Sequence, residues 1–217
     1  MGSQWTAASR PPRAGRMSIP RTAILATLLG AAACATHLGP SGAPGEADIS
    51  PKLLPFVFYE SGSELFTGVD GRAAQYVKEG EIVPLGLGLA NLSTGSLTLN
   101  RESFVLECED GSRYPLVALS EFNRDYKRSR TDARLADTFR QALNARFASY
   151  AFRSWRLFPF KGEVSAKIDE IELARRQWTH TYLYFPWPAT GVHGKEFVLL
   201  VTVKQIPETL VVRFTLK

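Results

Sequence analysis

Every second residue from Val83 to Leu89 is a large aliphatic side chain, and the residues interleaved with them, Pro84, Gly86, Gly88 and Ala90, carry almost no side chain at all. In a strand, alternate residues point to opposite faces, so this pattern puts Val83, Leu85, Leu87 and Leu89 into a core and leaves the other face bare. A bare face lets another element lie close against the backbone. After a polar turn at Ser93–Ser96 and a short strand, Phe104, Leu106 and Cys108 repeat the alternation up to Asp110-Gly111, a type I′ hairpin signal. The stretch from Ile82 to Leu116 therefore predicts an antiparallel β-meander.

The flanking chain extends the pattern. Phe56-Val57-Phe58-Tyr59 reads as a strand ended by Glu60-Ser61-Gly62, Val69–Arg72 as a turn, and Tyr76-Val77 as the start of a further strand. Past Leu119 the period changes. Thr131-Asp132 offers a helix start, and Leu135, Phe139, Leu143 and Phe147 follow at four-residue spacing with Arg134, Arg140 and Arg146 on the flanks. This predicts an amphipathic helix over about 131–149 whose apolar stripe packs over the Gly86 and Gly88 face. A second, shorter helix is expected over 166–177, from Ile168, Ile171 and Ala174. Sheet then returns. Trp178, His180, Tyr182 and Tyr184 share one strand face before Pro186-Trp187-Pro188 ends it, and Lys195–Lys204 is apolar on both faces, as a strand covered on both sides requires. Leu210, Val212, Phe214 and Leu216 form the partner strand of a hairpin turned at Pro207. The fold class expected is mainly β: an antiparallel β-sandwich over 53–217 with a helical insertion at about 120–177.

The formal charge of +5 and pI near 9.3 suggest an acidic partner, but four arginines and no acids precede Cys34, and without them the charge is +1. These first residues read as a processing signal, with Arg21, an apolar run from Ala23 to Leu29 and the small residues Gly30–Ala33. The run is too short for a membrane-spanning helix, which takes about 20 apolar residues. Leu28-Leu29-Gly30-Ala31-Ala32-Ala33-Cys34 resembles the lipobox of bacterial lipoproteins, with Ala31 standing where leucine is usual. The resemblance implies a signal peptide over 1–33, cleavage before Cys34, and diacylation of that cysteine. A start at Met17 gives a leader of ordinary length. The alternative is a plain secretory signal cleaved near Ala33, with Cys34 incidental. Ala35 after the cysteine, by the sorting rule of enterobacterial lipoproteins, implies the outer membrane, facing the periplasm. Residues 34–52 then form the lipidated cysteine and a Gly-, Pro- and Ser-containing tether, whose sixteen residues from Ala35 to Ser50 reach about 20–24 Å. With Cys34 lipidated, Cys108 has no disulfide partner and is expected as a buried thiol.

Leu89-Ala90-Asn91, Phe104-Val105-Leu106 and Asp110-Gly111 also occur in the order found in small immunoglobulin-like domains of bacterial envelope lipoproteins, which the segment Val83–Tyr114 resembles. The resemblance implies an immunoglobulin-like sandwich with a binding or assembly role and no chemistry. The helical insertion departs from the compact form of those domains.

Motifs for chemistry are sparse. Of three histidines, His37 lies in the tether and His193 between Gly191 and Gly194, and no HExxH, CxxC or GxSxG surrounds any of them. No catalytic residue, metal site or cofactor is therefore expected. Asp169-Glu170 and Glu172 are read as a solvated helix face. His180 is expected as a packing residue beside Trp178 and Tyr182, whereas a hydrolase or transferase would use it with a nearby carboxylate and needs a pocket around it. The segment Tyr150–Lys161 interleaves aromatics with basic residues. An envelope location argues against nucleic acid, leaving anionic headgroups or an acidic polymer as its ligand, while the packing reading makes Phe152, Trp155 and Phe158 anchors with snorkelling arginines. Trp178, Tyr182, Tyr184 and Trp187 offer a platform for the sugar rings of the cell wall. The candidate binding residues are Arg153, Trp155, Arg156, Trp178, Tyr182 and Trp187. The expected partner is an envelope protein or cell-wall polymer, together with the membrane through Cys34. A bare structural spacer is the third reading.

Overall fold

The computed structural model describes residues 50–159 and 170–217, all within one compact unit, Gly42–Lys217. The leader, Cys34, residues 35–49, Lys161 and the first residues of the expected second helix lie outside the described residues. In chain order the strands are β1 (Lys52–Leu54), β2 (Val57–Ser61), β3 (Leu65–Asp70), β4 (Val83–Asn91), β5 (Leu97–Asn100), β6 (Phe104–Cys108), β7 (Arg113–Pro115), β8 (Ala151–Phe152), β9 (Glu170–Leu173), β10 (Gln177–Phe185), β11 (Lys195–Val201) and β12 (Leu210–Leu216). Three helices separate β7 from β8: α1 (Leu119–Asp125), α2 (Ser129–Leu135) and α3 (Asp137–Arg146).

Six strands form one sheet in the order β1-β2-β3-β4-β10-β8, and four form a second in the order β12-β11-β6-β7; β5 and β9 make a two-stranded ribbon. All pairs are antiparallel except β8 with β10. Val83, Leu85, Leu87 and Leu89 of β4 enter one core with Phe104 and Leu106 of β6, Phe197 and Leu199 of β11, and Val212 and Phe214 of β12, so the two sheets share their inner faces. Cys108 is a buried free thiol, raised above its ordinary pKa chiefly by burial.

The meander is corrected. β4 is flanked by β3 and β10, so neither of its edges is left for β5, which pairs with β9, and β6 crosses to the second sheet. The crossing is pinned by Asn91, fully buried, whose Nδ2 donates to the carbonyls of Gly95 (2.8 Å) and Leu173 (2.7 Å) while its Oδ1 accepts from the amide and hydroxyl of Ser93. At the β6–β7 hairpin the amide of Gly111 donates to the carbonyl of Cys108, and Gly111 has φ +79°, whereas Asp110 does not enter the left-handed region. The turn is therefore not type I′, which needs positive φ at both central residues.

Four further expectations change. The helix over 131–149 is two helices meeting at Ala136, and α1 precedes them. Residues 170–173 are strand, not helix, because Ile171 and Leu173 alternate with exposed Glu170 and Glu172 and pair with Leu99 and Leu97. Ala73–Tyr76 is a short 3-10 helix where a strand start was expected. Lys52 already lies in β1, and Ser50 exchanges two hydrogen bonds with Arg213, so residues ahead of Leu53 belong to the domain.

Candidate binding cavity on the helix-covered face

The bare face of β4 is where the site forms. The register sets Gly88 opposite both Gly68 of β3 and His180 of β10, and Gly86 opposite Asp70 and Tyr182. These glycines floor a trough, and α3 lies in it. A Cβ built on Gly88 would stand 2.5 Å from Leu143 Cδ1 and 2.9 Å from Phe139 Cζ; one on Gly68 would stand 3.2 Å from Phe139 Cζ. Phe139 and Leu143 are buried there with Val57, Phe66, Ala90, Phe147 and Trp178, a second small core outside the sandwich.

A helix seated this low brings its flank against the taller side chains of β10. His180 packs edge-on to Phe139 (5.4 Å, 81°) and to Tyr182 (5.9 Å, 84°). Its Nε2 is shut off from solvent and has no hydrogen-bond partner among the described residues. Burial first, then the charge of Arg140, pushes the His180 pKa down to about 4, so the ring is neutral at pH 7. Beside it, the hydroxyl of Tyr126 donates to Asp132 Oδ2 and that of Tyr182 to the Asp132 backbone carbonyl. Asp132 is fully buried with Oδ1 unpartnered, and burial pushes its pKa up to about 6. Across Gly86 from Tyr182, Asp70, 2% exposed, holds Arg72 through Oδ2 at 2.7 and 3.0 Å, which raises the Arg72 pKa.

Between α3, the segment after β8 and β10 lies a cavity of about 320 Å³, lined among others by Asp137, Arg140, Phe152, Ser154, Arg156 and His180. A neighbouring cavity of about 310 Å³ shares Arg140 and Phe152 and adds Gln141, Asn144 and Trp178. Phe152 is 44% exposed and leans on Trp178, ring centroids 4.7 Å apart. Phe158 closes the inner end, stacked beneath the Arg101 guanidinium at 4.3 Å and edge-on to Tyr184.

The candidate binding residues divide. Arg156 and Tyr182 line the first cavity and Trp178 the second. Arg153 is exposed and Trp155 half-buried, neither lining these cavities, and Trp187 is half-buried and edge-on to His193. Trp178 and Tyr182 are 2% and 8% exposed, so they present no open platform to a sugar ring; α3 and Phe152 cover that face. The pocket that a His180-based reaction needs is present, but no carboxylate hydrogen-bonds to His180 among the described residues; Asp132 is engaged by Tyr126, and Asp137 pairs with Arg140 at 3.1 Å. Sequence reasoning missed Arg140 and Asp137. Their signal was indirect: a helix lying on a glycine floor carries its flanking residues down to the next strand.

No protein-family model and no curated protein matches this chain. The crystal structure of a putative lipoprotein, YcdA from Bacillus subtilis, aligns with TM-score 0.37 and 12% identity over 72% of this chain, which spans 38% of that structure's length. Among the described residues no helix is long and apolar enough to cross a membrane.

Proposed function

We propose that this chain is a lipoprotein of the bacterial cell envelope, anchored through Cys34 to the outer membrane and facing the periplasm, whose β-sandwich is a non-enzymatic binding or assembly module. The observation that carries it is the leader, an arginine, an apolar run too short to span a membrane and small residues ending at Cys34. The immunoglobulin-like kinship of the Val83–Tyr114 segment belongs to the same proposal, as does a protein or cell-wall partner rather than a nucleic acid. The paired cavities along α3 support binding over a spacer role. One observation favours a hydrolase or transferase, the place of His180 in the cavity wall, yet a ring held down at about 4, with no orienting carboxylate among the described residues, is a weak general base at neutral pH.

The experiment is the intact mass of the protein from a membrane fraction, beside Cys34→Ser. A chain beginning at Cys34 with acyl groups, lost in the variant, supports the anchor. A mature chain beginning elsewhere without lipid overturns it.

A further inference from the structure

The cavity beside His180 has a defined chemistry. Among the described residues its charged lining is two guanidiniums, Arg140 and Arg156, and one carboxylate, Asp137. Arg140 meets Asp137 in an i,i+3 pair with both side chains more than half exposed, a contact that a ligand in the cavity can displace or join. The guanidinium fork matches a carboxylate with two parallel hydrogen bonds, which a lysine cannot reproduce. Rings form much of the rest, Phe152 at the mouth and Phe158, Tyr182 and Tyr184 behind, with Ala133, Ala136, Ser154 and Thr181 between them. The volume, about 320 Å³, equals roughly ten water molecules, room for a carboxylate and one aromatic or branched side chain.

We propose that this cavity binds a carboxylate joined to an apolar group, with Arg140 gripping the carboxylate and the Phe152, Phe158 and Tyr184 rings enclosing the apolar part. The inference rests on the binding-module reading but not on the anchor. The ligand is a free acid or the C-terminal residue of a peptide. The neighbouring cavity, continuous in its lining through Arg140 and Phe152, offers the side-chain amides of Gln141 and Asn144 to an extended backbone, as a peptide would need. The neutral His180 ring lines the cavity without adding charge, so a dianion gains nothing there and meets Asp137.

The test uses the full-length Cys34→Ser protein, so that lipidation does not enter. N-acetyl-phenylalanine, its amide, phenyl phosphate and the peptide Ala-Ala-Phe are titrated by calorimetry. The acid and the peptide are expected to saturate with sub-millimolar Kd and the amide to bind at least tenfold more weakly. A peptide binding about tenfold tighter than N-acetyl-phenylalanine identifies the chain terminus as the ligand; equal affinity identifies the free acid. Arg140→Ala is expected to weaken the acid about tenfold and Arg140→Lys less, with unliganded melting temperatures unchanged because Arg140 is exposed. The ligand series on the unmodified cavity stands even if a variant misfolds. Amide binding equal to acid, phenyl phosphate binding tighter, or no saturation by roughly 10 mM overturns the inference. Lipidated protein from the membrane together with no acid binding would remove this inference and leave the anchor standing.

Discussion

Asp132 and His180 lie on the same covered face and titrate over the same pH range with opposite consequences. Asp132 is held up at about 6, against about 3.9 in an unfolded chain, by burial that outweighs its hydrogen bond from Tyr126 and the charge of Arg128. Between these values the folded state binds more protons, so stability falls as pH rises from about 4 to 6, by on the order of 3 kcal/mol. His180 is held down at about 4, against about 6.5 unfolded, so there the unfolded state binds more protons and stability rises with pH by a similar amount. The two slopes nearly cancel, and urea unfolding of the unmodified protein is expected to be almost flat between pH 4 and 6. Asp132→Asn leaves the His180 slope, so its stability should climb across that range; His180→Phe leaves the Asp132 slope and its stability should fall. Parallel curves for both variants would sink this account. The place of His180 was legible, since alternation alone puts it with Trp178 and Tyr182. The burial of Asp132 was not: in sequence it is a helix acid near a positive dipole end, and the fold brings the Tyr126 hydroxyl to its Oδ2 and the Tyr182 hydroxyl, from β10, to its backbone carbonyl.

The contact of α3 with β4 shows which patterns a sequence carries between elements. The bare period-two face of Gly86 and Gly88 and the four-residue stripe of Phe139 and Leu143 are each local, and their fit needs no knowledge of topology. Membership of β5, β6 and β9 in different sheets is non-local, set by which edges β4 has already given to β3 and β10. For that reason β4, β6, β10, β11 and β12 were legible as strands and the meander was not. The fit is also tight. Gly88→Ala puts a methyl at 2.5 Å from Leu143 Cδ1 and 2.9 Å from Phe139 Cζ, and overpacking of this kind costs about 1–3 kcal/mol. Gly95→Ala, with nothing within 4 Å of the new carbon, serves as the control and should change stability by under about 0.5 kcal/mol. Leu143→Ala alone removes a buried side chain at about 2–5 kcal/mol. Combined with Gly88→Ala it should cost less than the sum of the two, because the methyl occupies space the leucine vacates. Additive costs in denaturant unfolding would mean that α3 does not rest on the glycine floor.

Among the described residues the layers are helix, six-stranded sheet and four-stranded sheet, and the layering is one-sided. The helix covers the outer face of the first sheet, whereas the outer face of the second carries Val105, Leu200 and Val211 in one row and Glu107, Val198 and Arg213 in the next, from half-buried to exposed. The sequence of β11, apolar on both faces, pointed to cover on both sides. The structure instead buries Phe197, Leu199 and Val201 and leaves Val198 and Leu200 partly open, their apolar area limited by the charged neighbours Glu107 and Arg213 across the ladder. Runs of this kind do not report exposure, because a β-branched residue such as valine fits a pleated, half-covered surface as well as a closed one. The two faces should answer differently to substitution. Leu199→Ala, at a fully buried site, is expected to cost about 2–5 kcal/mol. Leu200→Thr, one residue on, puts a β-branched, strand-favouring side chain on the ladder and should cost no more than about 1 kcal/mol. Equal losses in urea unfolding would mean that another surface covers this sheet in solution, and the molecule would then have four layers rather than three.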